Sequence, residues 1–148
     1  MECKNKIKIL YVVWGAVLGG HILSAFTTAK AAKKAGYSVK FAATGGDFSS
    51  VISQEIDFIE IGMPLHSNGR ETYFTFSSFK TYSKILKLFE EEKFDLIHVF
   101  DARSLFHVYL PAAKKGIKVV CTLCGGVDPY YNLPLLKKLI VFSGEQKD

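Results

Sequence analysis

The chain has 148 residues, 49% hydrophobic and 22% charged, which fits one domain with a sizeable core and excludes a disordered chain or an array of domains. Its net charge of +5 comes from lysines spread along the chain, without the clustering and interleaved aromatics that nucleic acid binding requires, so no nucleic acid partner is expected. Three cysteines, Cys3, Cys121 and Cys124, are an odd set for a disulfide framework; they point to a reducing, cytoplasmic setting, and no stretch has the length of a transmembrane helix.

Ile7–Trp14 is a near-continuous apolar run, as expected of a parallel strand buried on both faces. Behind Lys4, Lys6 and Lys8 it also has the outline of a secretory leader, but the downstream pattern supplies a sheet that needs this strand. A loop with Gly15, Gly19 and Gly20 follows, then a helix over Ile22–Ala35 with Ile22, Phe26, Ala29 and Ala32 on one stripe and Gly36 as its terminator. Val39–Ala43 is strand two, Phe48–Gln54 a short helix and Phe58–Ile61 strand three. Gly62–Tyr73, with Pro64, Asn68 and Gly69, is a long loop of the kind that often carries function. Phe76–Glu92 is an amphipathic helix with Ser77 or Ser78 as its cap and Phe79, Tyr82, Leu86 and Phe89 as its apolar stripe. Lys80, Lys84 and Lys87 form another face beside Tyr73, Phe74 and Phe76, a composition suited to a membrane surface as well as to a solvated helix face.

Asp95–Phe100 is strand four, and Ala102–Lys115 a helix bent by Pro111 and ended by Gly116. Ile117–Leu123 is strand five, and Cys124–Pro129 forms a second glycine loop. Leu133–Lys137 is a helical turn at most, Leu139–Phe142 a short sixth strand. The echo of AAKKAGYSVKF (31–41) in AAKKGIKVVCT (112–122) repeats an αβ connection rather than a duplicated unit. The alternation predicts an α/β, Rossmann-like, doubly wound parallel sheet in one three-layer domain over residues 1–148.

Three strand ends converge on the carboxyl edge of such a sheet: Gly15–His21, Asp101–Arg103 and Thr122–Asp128. Gly19 and Gly20 admit a ligand close to the backbone, and the helix beginning at His21 offers N–H groups to a phosphate; a tight βα turn would also account for them. The spacing is not G-x-G-x-x-G and no acid closes strand two, which speaks against a small NAD-binding Rossmann protein. Cys121 and Cys124 form a C-x-x-C, but no further zinc ligands lie nearby and the pair does not head a helix, so neither a metal nor a redox pair is expected. His98 reads as a core histidine. Asp101 has two readings, a helix N-cap and a carboxylate that acts on a ligand as a base or holds its hydroxyl.

The order of these motifs resembles the N-terminal, acceptor-side domain of GT-B glycosyltransferases of the family 4 (group 1) type. Gly19 and Gly20 match its Gly-Gly loop. Asp95–Asp101, DLIHVFD, matches its fourth strand, and Thr122–Asp128, TLCGGVD, matches its next strand end. The resemblance spans almost the whole chain. It implies metal-independent transfer of a sugar from a nucleotide-sugar, a co-substrate with no further cofactor, to a glycan or lipid-linked acceptor. Gly19, Gly20 and His21 would face the donor phosphates, Asp101 and Cys124 would line the reaction centre, and Arg70, Arg103, Gly125 and Asp128 would contact the acceptor. Cys124 stands where relatives carry histidine or arginine, and Phe100 where histidine is frequent. The family's donor-binding domain has no counterpart here, so the chain is expected to need a separate or missing donor domain and to be inactive alone; it is expected in the cytoplasm, with a contact to the inner face of a membrane as the second reading of the Phe76–Glu92 helix. A non-catalytic scaffold on the same fold is the alternative.

Overall fold

The computed structural model describes residues 6–64, 76–124 and 136–141, the last as backbone. The strands are β1 (Lys8–Gly15), β2 (Ser38–Thr44), β3 (Asp57–Glu60), β4 (Leu96–Val99), β5 (Lys118–Leu123) and β6 (Leu136–Val141). The helices are α1 (Gly20–Lys34), α2 (Ser49–Glu55), α3 (Phe76–Glu92) and α4 (Ala102–Lys115). All six strands are parallel, in the order β3-β2-β1-β4-β5-β6. The chain winds outward from β1 in one direction, returns through α3, and continues in the other. The crevice between β1 and β4 is therefore the topological switch point, where open α/β sheets bind ligands.

β1 is central because both of its faces are apolar. Leu10 and Val12 pack with β4, β5, α3 and α4 through Ile97, Val99, Cys121, Ile85 and Leu105. Ile9, Tyr11 and Val13 pack on the opposite face with β2, α1 and α2 through Phe41, Ile22, Phe26 and Ile52. Ile22 is fully buried in the first turn of α1. It anchors the helix end that faces the switch point, and its truncation to alanine would cost about 2–5 kcal/mol.

Both AAKK segments end their helices alike. Gly36 and Gly116 have positive φ (96° and 66°). The Tyr37 and Ile117 N–H groups donate back to the carbonyls of Ala32 (3.2 Å) and Ala112 (3.0 Å), as in Schellman caps.

Four expectations need correction. α1 starts at Gly20 rather than Ile22, because glycine is admissible at a helix start even though it weakens an interior. In α3 the buried residues are Ser78, Thr81, Ile85 and Phe89. Phe79 is exposed, while Tyr82 and Leu86 are half-buried. The seam is polar at its start because the Thr81 hydroxyl donates to the Gly62 carbonyl (2.8 Å), which hides it from a hydrophobic count. Ser77 and Ser78 lie inside α3 and do not precede it. Leu136 and Lys137 belong to β6 instead of a helical turn; Leu136 pairs with Val119 of β5, and Lys137 falls at the register shift before Lys138 pairs with Val120. Phe142 lies outside the described residues. α4 runs through Pro111 from Ala102 to Lys115 without interruption.

Candidate active site at the switch point

β1 and β4 part company at their carboxyl ends. Their pairing ends at Val12 and Val99, with one further bond from the Phe100 N–H to the Val12 carbonyl (3.1 Å). The Trp14 N–H then has no strand partner on that side, and the Asp101 carboxylate takes it. Oδ2 of Asp101 accepts from the Trp14 N–H (2.8 Å) and from the Ser104 hydroxyl (2.8 Å). Oδ1 accepts from the Ser104 N–H (2.7 Å), capping α4. Asp101 is thus an N-cap and also a clamp between β1 and α4. A carboxylate has about four lone-pair sites, and these bonds occupy three.

The cleft that opens there has a volume of about 540 Å³, within the usual range for a ligand site. It is lined by Trp14 from β1, Gly20 and His21 from α1, Phe100–Arg103 from the β4–α4 junction, and Leu123 and Cys124 from the end of β5. The three strand ends singled out in the sequence therefore meet. Gly19 stands just behind Gly20 as the N-cap of α1. Arg70, Gly125 and Asp128 lie outside the described residues.

The glycines of the first loop are not required by its geometry. Gly19 is extended (φ −177°), and a Cβ there would come no closer than 3.5 Å to the His21 ring. A Cβ on Gly20 would meet nothing within 4 Å. The tight-turn account of this pair therefore fails; what glycine supplies is bare backbone facing the cleft. Gly46 is the contrast. Its Cβ would lie 2.5 Å from the Ala16 carbonyl oxygen, the atom that accepts the Phe48 N–H at 2.9 Å and so ties the β1–α1 loop to the start of α2.

Among the described residues, the first helical N–H of α1 with a partner is that of Leu23, which donates to Gly19 O at 3.1 Å. The N–H groups before it are the ones a helix leaves without an intrahelical acceptor, and neither a side-chain cap nor an acidic first-turn residue competes for them. With the helix dipole they make this end of α1 suited to an anion.

Cys121 and Cys124 are three residues apart on an extended segment, so they point to opposite faces. Cys121 packs toward α3 and α4 and Cys124 toward α1. Both are free thiols. Burial pushes the Cys121 thiol up to about 12. Cys124 is half-buried at the cleft; burial raises its thiol above the ordinary value, the Asp101 charge adds to this, and a hydrogen bond with Ser24 opposes it. It is therefore a neutral thiol at neutral pH. His98 sits below the cleft with Nε2 2.8 Å from the Thr122 hydroxyl, and burial lowers it to about 4. It is a neutral, half-buried histidine, less enclosed than the core residue its apolar strand suggests.

Trp14 is the cleft residue that the sequence reading overlooked, counted only as part of an apolar strand. Its indole N–H donates to the Met63 carbonyl (3.0 Å) and its backbone N–H to Asp101. The Arg103 guanidinium lies 5.2 Å over its ring. The available signal was an amphipathic aromatic as the last side chain before the glycine loop.

Residues 18–142, most of the chain, match the profile of Glycosyltransferase Family 4. The chain belongs to this family. Three solved structures place its fold among larger proteins. MurG of Acinetobacter baumannii superposes with a TM-score of 0.76 at 18% identity, covering 96% of this chain and 43% of MurG. A glycosyltransferase from Rickettsia africae ESF-5 gives 0.70 at 23% identity, covering 93% and 37%. The UDP-GlcNAc 2-epimerase from Methanocaldococcus jannaschii gives 0.65 at 17% identity, covering 95% and 40%. No curated protein matches the sequence. This family 4 domain spans less than half the length of those structures and corresponds to the N-terminal half of a GT-B fold.

Proposed function

We propose that the domain is the acceptor-side half of a metal-independent glycosyltransferase that moves a sugar from a nucleotide-sugar to a glycan or lipid-linked acceptor. The donor side is supplied by a second domain, on the same polypeptide or a separate one. The observation that carries this reading is the open backbone of Gly20 at the start of α1, in one cleft with His21, Asp101 and Cys124. In this reading the N–H groups at the start of α1 hold the donor's phosphate and stabilise the negative charge that grows on the leaving group. The remaining lone pair of Asp101 accepts the acceptor hydroxyl's hydrogen bond and draws off its proton as the oxygen attacks the anomeric carbon. Cys124 shapes the wall as a neutral thiol.

The test pairs the domain with a donor-binding domain and follows labelled sugar from nucleotide-sugars to acceptor. Transfer is expected only from the pair, and transfer by this chain alone at the same rate contradicts the half-enzyme reading.

A peripheral membrane contact at the inner, cytoplasmic face belongs to the same proposal. α3 starts at the carboxyl edge of the sheet and exposes Phe76 (73%) and Phe79 (61%). The Lys80 ammonium lies 4.6 Å from the Phe76 ring, and Lys84 and Lys87 are exposed. Aromatic insertion with a basic flank suits anionic headgroups. No helix among the described residues is long and apolar enough to cross a membrane. Sedimentation with anionic but not neutral vesicles, lost in a Phe76→Ser, Phe79→Ser double variant, is the expected outcome; equal recovery with both vesicle types contradicts it.

A further inference from the structure

We infer that Arg103 reads an oxyanion, phosphoryl or carboxylate, carried by the acceptor close to its reacting hydroxyl. The inference rests on the placing of the acceptor in this cleft. Arg103 is exposed in the first turn of α4, and its guanidinium carbon lies over the Trp14 ring, 5.2 Å from the centroid. Among the described residues no carboxylate is within ion-pair distance of it. The Asp101 carboxylate, two residues away, is turned to Trp14 and Ser104 instead. Trp14 is itself a fixed shelf, because both of its N–H groups are bonded, one to Asp101 and one to Met63. A guanidinium held over a fixed ring by a cation–π contact has less freedom left to lose when it binds. The planar fork then matches two oxygens of a phosphoryl or carboxylate group.

This charge is separate from the start of α1. The cleft holds one anion-binding element on each wall, backbone N–H groups on the α1 side and a side chain on the α4 side. A donor phosphate uses the first. The second has no ion-pair partner among the described residues. A neutral glycan would take only hydrogen bonds from it, whereas an anionic acceptor would also gain a charge-assisted pair that orients it.

Trp14 is the only tryptophan of the chain, so its fluorescence reports directly on this site. Glucose 6-phosphate, glucuronate and glucose serve as phosphoryl, carboxylate and neutral probes. A saturable change with at least one of the two anions, and none with glucose, is expected. Arg103→Ala should weaken the anion about tenfold or more, equivalent to about 1.4 kcal/mol. Arg103→Lys should recover only part, since a lysine supplies charge without the fork. Lys118→Ala, at the opposite edge of the sheet, should leave binding unchanged and controls for general charge. Circular dichroism confirms that each variant is folded. Amide shifts produced by pyrophosphate at Gly20–Ile22 should persist in Arg103→Ala; their loss together with sugar-phosphate binding would mean one shared anion site and overturn the inference. Equal binding of glucose, no Arg103-dependent binding of either anion, or equal binding by wild type and Arg103→Ala would also overturn it. The readout needs no donor domain, so its failure is distinct from a failure of sugar transfer.

Discussion

Asp101 joins the fold to the site, and its removal has a calculable cost. In Asp101→Ala the Trp14 N–H, the Ser104 N–H and the Ser104 hydroxyl lose their acceptor together. Loss of the N-cap costs about 1 kcal/mol. Leaving the Trp14 N–H without an acceptor in a half-buried setting adds about 1–3 kcal/mol. The expected total is about 2–4 kcal/mol; with a urea slope of about 2 kcal/mol/M, the midpoint falls by about 1–2 M. Asp101→Asn retains one carbonyl oxygen but turns an NH2 toward one of the N–H donors, so it should lose about half as much. Ser104→Ala deletes only the hydroxyl bond and should lose about 1 kcal/mol. Urea denaturation followed by circular dichroism gives the series. The clamp is refuted if Asp101→Ala is no more destabilising than Ser104→Ala. In the assembled enzyme, Asp101→Asn should lower kcat by about 100-fold or more while KM changes little. A stability loss with an unchanged rate would reduce Asp101 to a structural cap.

Two further outcomes follow from the buried titratable groups. His98 is lowered by burial to about 4 from 6.5, so the unfolded chain binds the extra proton. The stability due to neutral His98 is present above about pH 6.5 and is lost as pH falls toward 4. After allowance for partial solvent access, this is on the order of 2 kcal/mol. His98→Gln should flatten that part of the stability–pH curve relative to wild type, and parallel curves would contradict the assignment. For Cys124, native alkylation by iodoacetamide at pH 7 should be slower than for a free thiol. It should accelerate in Asp101→Asn, because removing that charge lowers the thiol's pKa; an unchanged rate in that variant would disprove the coupling. Cys121 should react only on unfolding.

Much of this architecture was legible because parallel α/β folds write themselves in period and punctuation. The uninterrupted apolarity of β1 announced a strand buried on both faces, and the three strand ends that met in the cleft were those a doubly wound sheet must bring together. Two of the misreadings share one cause, polar atoms satisfied by tertiary partners. Thr81 turns into the core because Gly62 offers it a carbonyl, so the apolar stripe of α3 was placed on the wrong residues. Trp14 looked like another core residue because the acceptors for its two N–H groups, Asp101 and Met63, are far away in the chain. The Gly19–Gly20 pair was ambiguous between a turn and a ligand loop. The backbone angle at Gly19 and the empty space beside Gly20 decide against the turn.

The central claim, that this family 4 domain offers bare backbone at the start of α1 to a donor phosphate, is tested most directly by amide NMR of the chain titrated with pyrophosphate. Weak, saturable binding, on the order of millimolar, should move the Gly20, His21 and Ile22 amides and leave those of α3 in place. Gly20→Val puts a side chain into the open space beside the backbone without a clash in the fold. It should abolish those shifts while the unfolding free energy stays within about 0.5 kcal/mol of wild type. Undiminished pyrophosphate shifts in Gly20→Val, or shifts centred away from the start of α1, would contradict the account.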